Sequence, residues 1–154
     1  MPGSRVSAAM EIMGWQICRA HEVEEPGKAC IDKAGRWNDP GPPLVYLSEH
    51  PALAALECRV HLDMPYDEMA HDHVLLRVAL PADSLEELEA MPADPKAVGN
   101  AWLREGRSAV LRVPSIVVQE GRNLLLNPNH PAGERARVVG VTEFRFDRRL
   151  WQAG

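Results

Sequence analysis

The chain has 154 residues, of which 45% are hydrophobic and 25% charged, as is typical of a soluble domain with a single core. Its 17 Lys and Arg residues against 22 Asp and Glu give a net charge of -5, so no basic surplus is available to neutralise a nucleic-acid backbone. The N-terminus has no charged segment leading into an apolar one, and no apolar run reaches the roughly 18 residues that span a bilayer. We therefore expect a cytoplasmic protein that binds neither nucleic acid nor membrane directly.

Cysteine and histidine patterns predict no metal site. Cys18, Cys30 and Cys58 are odd in number and lack CxxC spacing, which fits neither a disulfide framework nor a zinc site, so we expect idle thiols. The HDH tripeptide at 71–73 is more typical of solvated surface than of a ligand set. The Gly-rich dinucleotide fingerprint, the P-loop, the nucleophile elbow of α/β-hydrolases and the HExxH motif are all absent, which excludes several common enzyme classes.

The N-terminal quarter of the chain contains little regular periodicity. Residues 1–13 predict a flexible arm before a single domain over 14–154, and residues 15–20 predict a short strand. Seven prolines and glycines between residues 22 and 43 exclude a regular helix and predict a long loop. Because this loop contains GRWN at 35–38, a composition unusual for a flexible linker, we interpret it as an ordered binding loop.

Short apolar runs and turn residues predict the remaining elements. In chain order they are a strand over 44–47, a helix over 51–62, a strand over 74–80, an acidic helix over 84–91, a helix over 96–104, and strands over 108–113, 123–126 and 138–146. Residues 116–118 predict a resumed strand after Pro114, which places Ser115 at a strand end or bulge. Val141 is expected in the core with its neighbours Val139 and Phe144. Because strands and helices do not alternate strictly, we expect an α+β fold.

Glu57 is the most informative residue of the helix over 51–62. Leu53, Leu56 and Val60 recur at helical spacing and predict its buried stripe, and Glu57 lies on the same face. An ionised carboxylate is costly to bury without partners. Glu57 is therefore expected at the edge of the stripe, paired with a cation, or lining a cavity.

Polar residues at the ends of these elements form a characteristic set. They are GRWN at 35–38, Gly41, Tyr46, Ser48, Ala54, Glu57, VPS at 113–115 and NLLLNPNHP at 123–131. This set resembles the RES domain family, which is named after an Arg, a Glu and a Ser. The matching positions are Arg36, Glu57 and Ser115, and the similarity extends over residues 15–146. Ala34 replaces a glycine of the family's loop.

The resemblance implies a fold similar to that of ADP-ribosyltransferases, with a mixed, largely antiparallel sheet and a few flanking helices. It implies the toxin of a type II toxin–antitoxin system that cleaves the nicotinamide–ribose bond of NAD+, with phosphate or water as the acceptor. The implied partner is an Xre-like antitoxin, and the resemblance allows a homodimer within a larger complex. NAD+ is then a substrate, with no cofactor and no metal. A protein ADP-ribosyltransferase and a non-catalytic module that binds a nucleotide or a partner remain alternatives.

The chemistry of the matching residues agrees with cleavage of NAD+. Loss of nicotinamide leaves an electron-poor ribose that the Glu57 carboxylate can stabilise, and the Arg36 guanidinium can bind a pyrophosphate through two hydrogen bonds. Arg19 is a second pyrophosphate donor or forms a salt bridge. Tyr46 stacks on nicotinamide or is an ordinary core tyrosine. Ser115 has no base adjacent in the sequence, so we assign it a hydrogen bond to ribose or to the nicotinamide amide.

Five further residues of the loops and strand ends are candidates for binding NAD+. They are Trp37, Asn38, Ser48, Asn127 and His130. For this group a purely structural role in fixing a loop or building a turn is the favoured alternative.

Overall fold

The computed structural model describes residues 10–32 and 34–151, which form an α+β fold built on one mixed sheet. The strands are β1 (Glu11–Arg19), β2 (Val45–Ser48), β3 (His73–Pro81), β4 (Leu85–Glu87), β5 (Val110–Pro114), β6 (Arg122–Leu126) and β7 (Arg137–Phe144). The α-helices in this part of the chain are α1 (Pro51–Val60) and α2 (Pro95–Glu105). The fold class expected from the sequence is therefore confirmed.

The strand order is β4-β5-β6-β2-β1-β3-β7, and every neighbouring pair is antiparallel except β4 and β5. β1 and β3 pair along their full lengths. β1 and β2, in contrast, share the single registered pair Trp15–Ser48. Few backbone hydrogen bonds therefore hold these two strands together.

The long loop predicted over residues 22–43 is ordered where it enters the space between β1 and β2. The side chain of Gln16 on β1 makes two hydrogen bonds to the backbone of Cys30. Its Nε2 donates to the Cys30 carbonyl at 2.8 Å, and its Oε1 accepts from the Cys30 N–H at 2.9 Å. Two residues later, the Asp32 N–H donates to the Leu44 carbonyl at 2.8 Å. The loop is thus attached to both strands, and the GRWN segment follows directly.

Apolar side chains cover both faces of the sheet. The first cluster includes Val45, Leu47, Leu76, Val78, Leu80, Val110, Leu124 and Leu126. The second includes Trp37, Leu44, Trp102, Leu103, Leu111, Val113 and Leu125. Successive residues of a strand point to opposite faces, so Leu125 lies opposite its neighbours Leu124 and Leu126. Asn123, two residues before Leu125, shares the face of the second cluster, against which Tyr46 also packs.

Two predicted elements differ in the structure. Residues 84–91 do not form a helix: β4 lies there and pairs in parallel with β5, where Arg112 binds Glu87 across the two strands. Residues 116–118 do not form a strand either. The Ser115 Oγ accepts hydrogen bonds from the N–H groups of the second and third residues after it, at 3.0 and 3.1 Å. These bonds turn the chain towards β6.

The predicted burial of α1 and β7 is partly wrong. Leu53 and Ala54 are buried, but Leu56 is 37% and Val60 53% exposed. The fully buried residues of α1 therefore lie in its first half. Val141 is 61% exposed, and the next two residues of the edge strand β7 are exposed as well, so neither face of the strand is covered there.

The flexible arm predicted over residues 1–13 is wrong for residues 11–13. Residues 1–9 lie outside the described residues, and residues 11–13 already belong to β1, because they pair with the end of β3. Among the described residues no helix is both long and apolar enough to cross a membrane.

Candidate functional site

An open cleft of about 850 Å³ lies where β1, β2, α1 and the GRWN loop meet. Its volume is within the range of sites for small organic ligands. Five of the site residues predicted from the sequence line this cleft, namely Arg36, Trp37, Tyr46, Ser48 and Glu57. Other polar residues of its walls include Gln16, Asp32 and Asn123, and the charged residues Glu22, Asp94 and Lys96 also line it. The structure therefore brings together residues that are far apart in the chain.

Glu57, on the second half of α1, is one of the carboxylates that line the cleft. Its Oε2 accepts a hydrogen bond from Ser115 Oγ at 2.8 Å and another from Asn123 Nδ2 at 2.6 Å. Its Oε1 accepts no hydrogen bond from residues 10–32 or 34–151, and no cation of these residues pairs with it. Glu57 was expected at the edge of the apolar stripe, paired with a cation, or lining a cavity, and in the structure it lines a cavity. The arrangement satisfies one oxygen and leaves the other for a ligand.

Ser115 lies behind Glu57 at the end of β5. It is only 5% exposed, and its single hydroxyl proton is donated to Glu57. Since that proton is already used, the geometry does not match the hydrogen bond to ribose or nicotinamide that the sequence suggested. Ser115 instead holds Glu57 and the turn that follows β5.

Asn123 completes the hydrogen bonding of Glu57 and was missed as a site residue. It lies at the start of β6, directly opposite Ser48 of β2. The Ser48 Oγ donates to Asn123 Oδ1 at 2.8 Å, and Asn123 Nδ2 donates to Glu57. The signal available in the sequence was a polar residue opening an apolar strand within the NLLLNPNHP run.

Tyr46 fixes the GRWN loop through its hydroxyl group. The Tyr46 Oη accepts from the Trp37 N–H at 3.0 Å and donates to Asn38 Oδ1 at 2.5 Å. A Cβ at Gly35 would lie 2.7 Å from the Tyr46 ring, so only glycine fits there. Burial raises the pKa of Tyr46 to about 12, and its hydroxyl stays protonated. The hydroxyl and Asn38 are therefore structural, while the Tyr46 ring lines the cleft.

Arg36 and Trp37 are neighbours with opposite environments. Arg36 is exposed at the cleft, and its guanidinium makes no salt bridge with the described residues. Trp37 is 2% exposed, packs in the second core cluster and thereby anchors the loop. Its carbonyl approaches α2 so closely that a Cβ at Gly99 would lie 1.8 Å from the oxygen. The loop thus combines a fixed tryptophan with an arginine whose donors are available to an anion.

Arg19 lies outside the cleft and forms a salt bridge, which was the alternative to binding the pyrophosphate. Its Nε and Nη2 bind the two carboxylate oxygens of Asp72, the second contact at 3.0 Å. The neighbouring His73 is 7% exposed and packs edge to face on Phe146, with ring centroids 5.3 Å apart. The expectation that the HDH tripeptide is solvated is therefore wrong for His73, because β3 turns this side chain into the protein.

Asn127 and His130 also lie outside the described cleft walls and build the turn after β6. The Asn127 Oδ1 accepts from the Asn129 N–H at 3.0 Å. The His130 Nδ1 accepts from the Ala132 N–H at 3.0 Å and caps a short 3-10 helix. These contacts give both residues the structural role that was the alternative to NAD+ binding.

Two further groups in the cleft wall were not predicted. The Asp32 carboxylate accepts from the Tyr46 N–H at 3.0 Å, and burial raises its pKa to about 6. Cys18 and Cys30 are free thiols whose sulfur atoms lie 2.7 Å apart. The sequence gives no signal for either feature, because both depend on where the loop enters the sheet.

Comparison with known proteins identifies the family of this chain. Residues 14–149 match the RES domain. The "Prs ADP-ribosylating toxin" of Sphingobium sp. is 33% identical over 152 residues, covering 88% of this chain and 94% of that protein. The "Toxin Res" of Pseudomonas putida is 32% identical over 146 residues, covering 89% of this chain and 98% of that protein.

The fold also has a counterpart among solved structures. A chain in the crystal structure of the M. tuberculosis MbcT-MbcA toxin–antitoxin complex has a TM-score of 0.66 at 15% identity, covering 92% of this chain and 91% of that one. This likeness concerns the fold alone. The family follows from the domain match and the relatives above 30% identity: the chain belongs to the RES domain family.

Proposed function

We propose that this protein is the toxin of a toxin–antitoxin system and that it cleaves the nicotinamide–ribose bond of NAD+. The observation that carries the proposal is the Glu57 carboxylate, which has one oxygen held by two donors and the other without a partner among the described residues. The names of the relatives support the toxin role. The name of the Sphingobium relative supports chemistry on an ADP-ribose donor.

The proposed reaction breaks the bond between C1′ of ribose and the nicotinamide nitrogen. The bonding electron pair leaves with neutral nicotinamide, and positive charge develops on the ribose ring. The Glu57 carboxylate stabilises this charge, as carboxylates do in glycoside cleavage. Arg36 binds the pyrophosphate, because it lines the cleft and its guanidinium makes no salt bridge with the described residues. The Tyr46 ring offers a face for the nicotinamide.

The proposed acceptor is an oxygen of phosphate or water, which forms the new bond to C1′. The cleft opens to solvent and admits either molecule. A second candidate is the transfer of ADP-ribose to a protein side chain, which the name of the Sphingobium relative favours. Both reactions use the same carboxylate and differ only in the acceptor.

The proposed partner is an Xre-like antitoxin that covers the cleft in the cytoplasm. Three apolar residues at the cleft, Ile31, Val60 and Ile116, are each more than half exposed. Apolar groups that surround a polar cleft are typical of a surface covered by another protein. A segment of the antitoxin bound there excludes NAD+. The proposal also includes a homodimer of this chain within the complex.

The test is nicotinamide release by the purified, antitoxin-free protein carrying Glu57→Gln. This variant keeps the shape of the side chain but removes its charge, so we expect turnover to fall by about 100-fold or more. The matched control is Glu143→Gln, which changes an exposed glutamate of the edge strand β7. Full turnover by Glu57→Gln, at an unchanged unfolding midpoint, would exclude the assigned role.

A further inference from the structure

We propose that Asn123 is a positioning residue that orients the Glu57 carboxylate, and that Ser48 in turn orients the Asn123 amide. The proposal rests on the proposed function, because its effect is measured as cleavage of NAD+. The juxtaposition that carries it is the chain of hydrogen bonds from Ser48 Oγ through the Asn123 amide to Glu57 Oε2, with distances of 2.8 and 2.6 Å.

The backbone around Asn123 is fixed by strand pairing on both sides. β6 is hydrogen-bonded on both sides, with Asn123 opposite Ser48 of β2 and opposite Val113 of β5. An amide on a central strand is held more precisely than one on a loop. By contrast, Glu57 lies on the half of α1 where Val60 is already 53% exposed, so helix packing alone does not fix its side chain.

The direction of each hydrogen bond follows from the chemistry of the groups. An ionised carboxylate only accepts, so the amide nitrogen of Asn123 must face Glu57. The amide oxygen then faces Ser48, whose hydroxyl donates to it. Ser48 is only 3% exposed, and water therefore does not compete for this proton. Successive hydrogen bonds of one direction strengthen each other.

The consequence concerns the second oxygen of Glu57. Ser115, directly after β5, and Asn123 on β6 both donate to Oε2, which fixes the plane of the carboxylate. Loss of either donor lets the group rotate, and Oε1 no longer keeps its place in the cleft. NAD+ binding through Arg36 does not depend on this plane. Removing Asn123 should therefore lower kcat while KM changes little.

The experiment compares steady-state nicotinamide release by the full-length protein and its variants. We expect Asn123→Ala to lower kcat about 10- to 100-fold with KM within about 3-fold, and Ser48→Ala to lower kcat by a smaller factor. Asn123→Asp keeps the volume but replaces the donor by an acceptor, and it should lose at least as much as Asn123→Ala. Asn129→Ala, in the exposed turn after β6, is the matched control and should retain full activity.

A double-mutant cycle separates an effect through Glu57 from a structural one. In the Glu57→Gln background, Asn123→Ala should have almost no further effect, because the group that it positions is already disabled. Losses that multiply in the double variant, or a raised KM with unchanged kcat, would overturn the proposal. So would full kcat of a folded Asn123→Asp variant. If the parent protein itself releases no nicotinamide, the proposed function fails; if the parent is active and these variants are too, only the role of Asn123 fails.

Discussion

Replacing Asp32 by Asn should remove a pH dependence of stability that originates in the cleft wall. The Asp32 Oδ2 accepts from the Tyr46 N–H at 3.0 Å, and an Asn oxygen can accept the same bond without carrying a charge. Burial raises the pKa of Asp32 to about 6, the Tyr46 N–H opposes the shift, and the negative charge of Glu22 adds to it. The folded protein therefore binds the Asp32 proton more tightly than the unfolded chain does.

The size of the effect follows from the two pKa values. With a pKa of 3.8 in the unfolded chain and about 6 in the fold, the group destabilises the fold as the pH rises from about 4 to about 6. Below this pH window the Asp32 carboxyl is neutral in both the folded and the unfolded protein. Above it the carboxyl is ionised in both, and the fold carries the full free-energy penalty of the buried charge. At 1.36 kcal/mol for each pKa unit, the penalty is about 3 kcal/mol, or roughly 6 to 12 °C in unfolding midpoint for a domain of this size.

The assay is urea unfolding of the parent and Asp32→Asn between pH 4 and pH 8. The stability of the variant relative to the parent should increase by about 2.4 kcal/mol across this range, because a small part of the penalty is already present at pH 4, and most of the change should fall between pH 4 and 6. Asp63→Asn, at an exposed aspartate without an ion pair among the described residues, should show no comparable trend. A stability difference that is constant with pH would refute the assignment of this titration to Asp32.

Three further substitutions test the loop and the excluded candidate. Arg36→Ala should raise the Kd for NAD+ about 10-fold or more, because a pyrophosphate loses its bidentate donor; an unchanged Kd in calorimetry would contradict this. Arg19→Ala should leave nicotinamide release unchanged and stability within about 1 kcal/mol, since its contact with Asp72 is partly exposed; a large loss of activity would return Arg19 to the site. Gly99→Ala should destabilise the protein by roughly 1 to 3 kcal/mol despite the better helix propensity of alanine, because the added Cβ displaces the Trp37 carbonyl. Unchanged thermal unfolding of that variant would show that the loop adapts.

Elements with a strong local signal could be predicted from the sequence. The alternation over 74–80 lies within β3, and the helix expected over 96–104 lies within α2, where Pro95 and Gly106 mark the ends. β4 could not be found in this way. Its acidic sequence is typical of a helix. Its strand conformation depends on pairing with β5, which lies more than 20 residues later in the chain.

Some residues of the candidate site could likewise be predicted from the sequence, and others could not. Arg36, Tyr46 and Glu57 lie within one short stretch of sequence, so their motif could be recognised locally, and all three line the cleft. The donors to Glu57 could not be assigned, because Ser115 is 58 and Asn123 is 66 positions away in the chain. Only the order of strands in the sheet places these two side chains behind the carboxylate.

Nicotinamide release from NAD+ by the purified, antitoxin-free protein tests the central claim most directly. The reaction is run with and without inorganic phosphate, and the other product is identified by mass. We predict release of nicotinamide together with ADP-ribose phosphate, if phosphate is the acceptor, or ADP-ribose, if it is water. A folded protein that binds NAD+ but releases no nicotinamide under either condition would contradict the claim that Glu57 and its two donors form a site for cleaving NAD+.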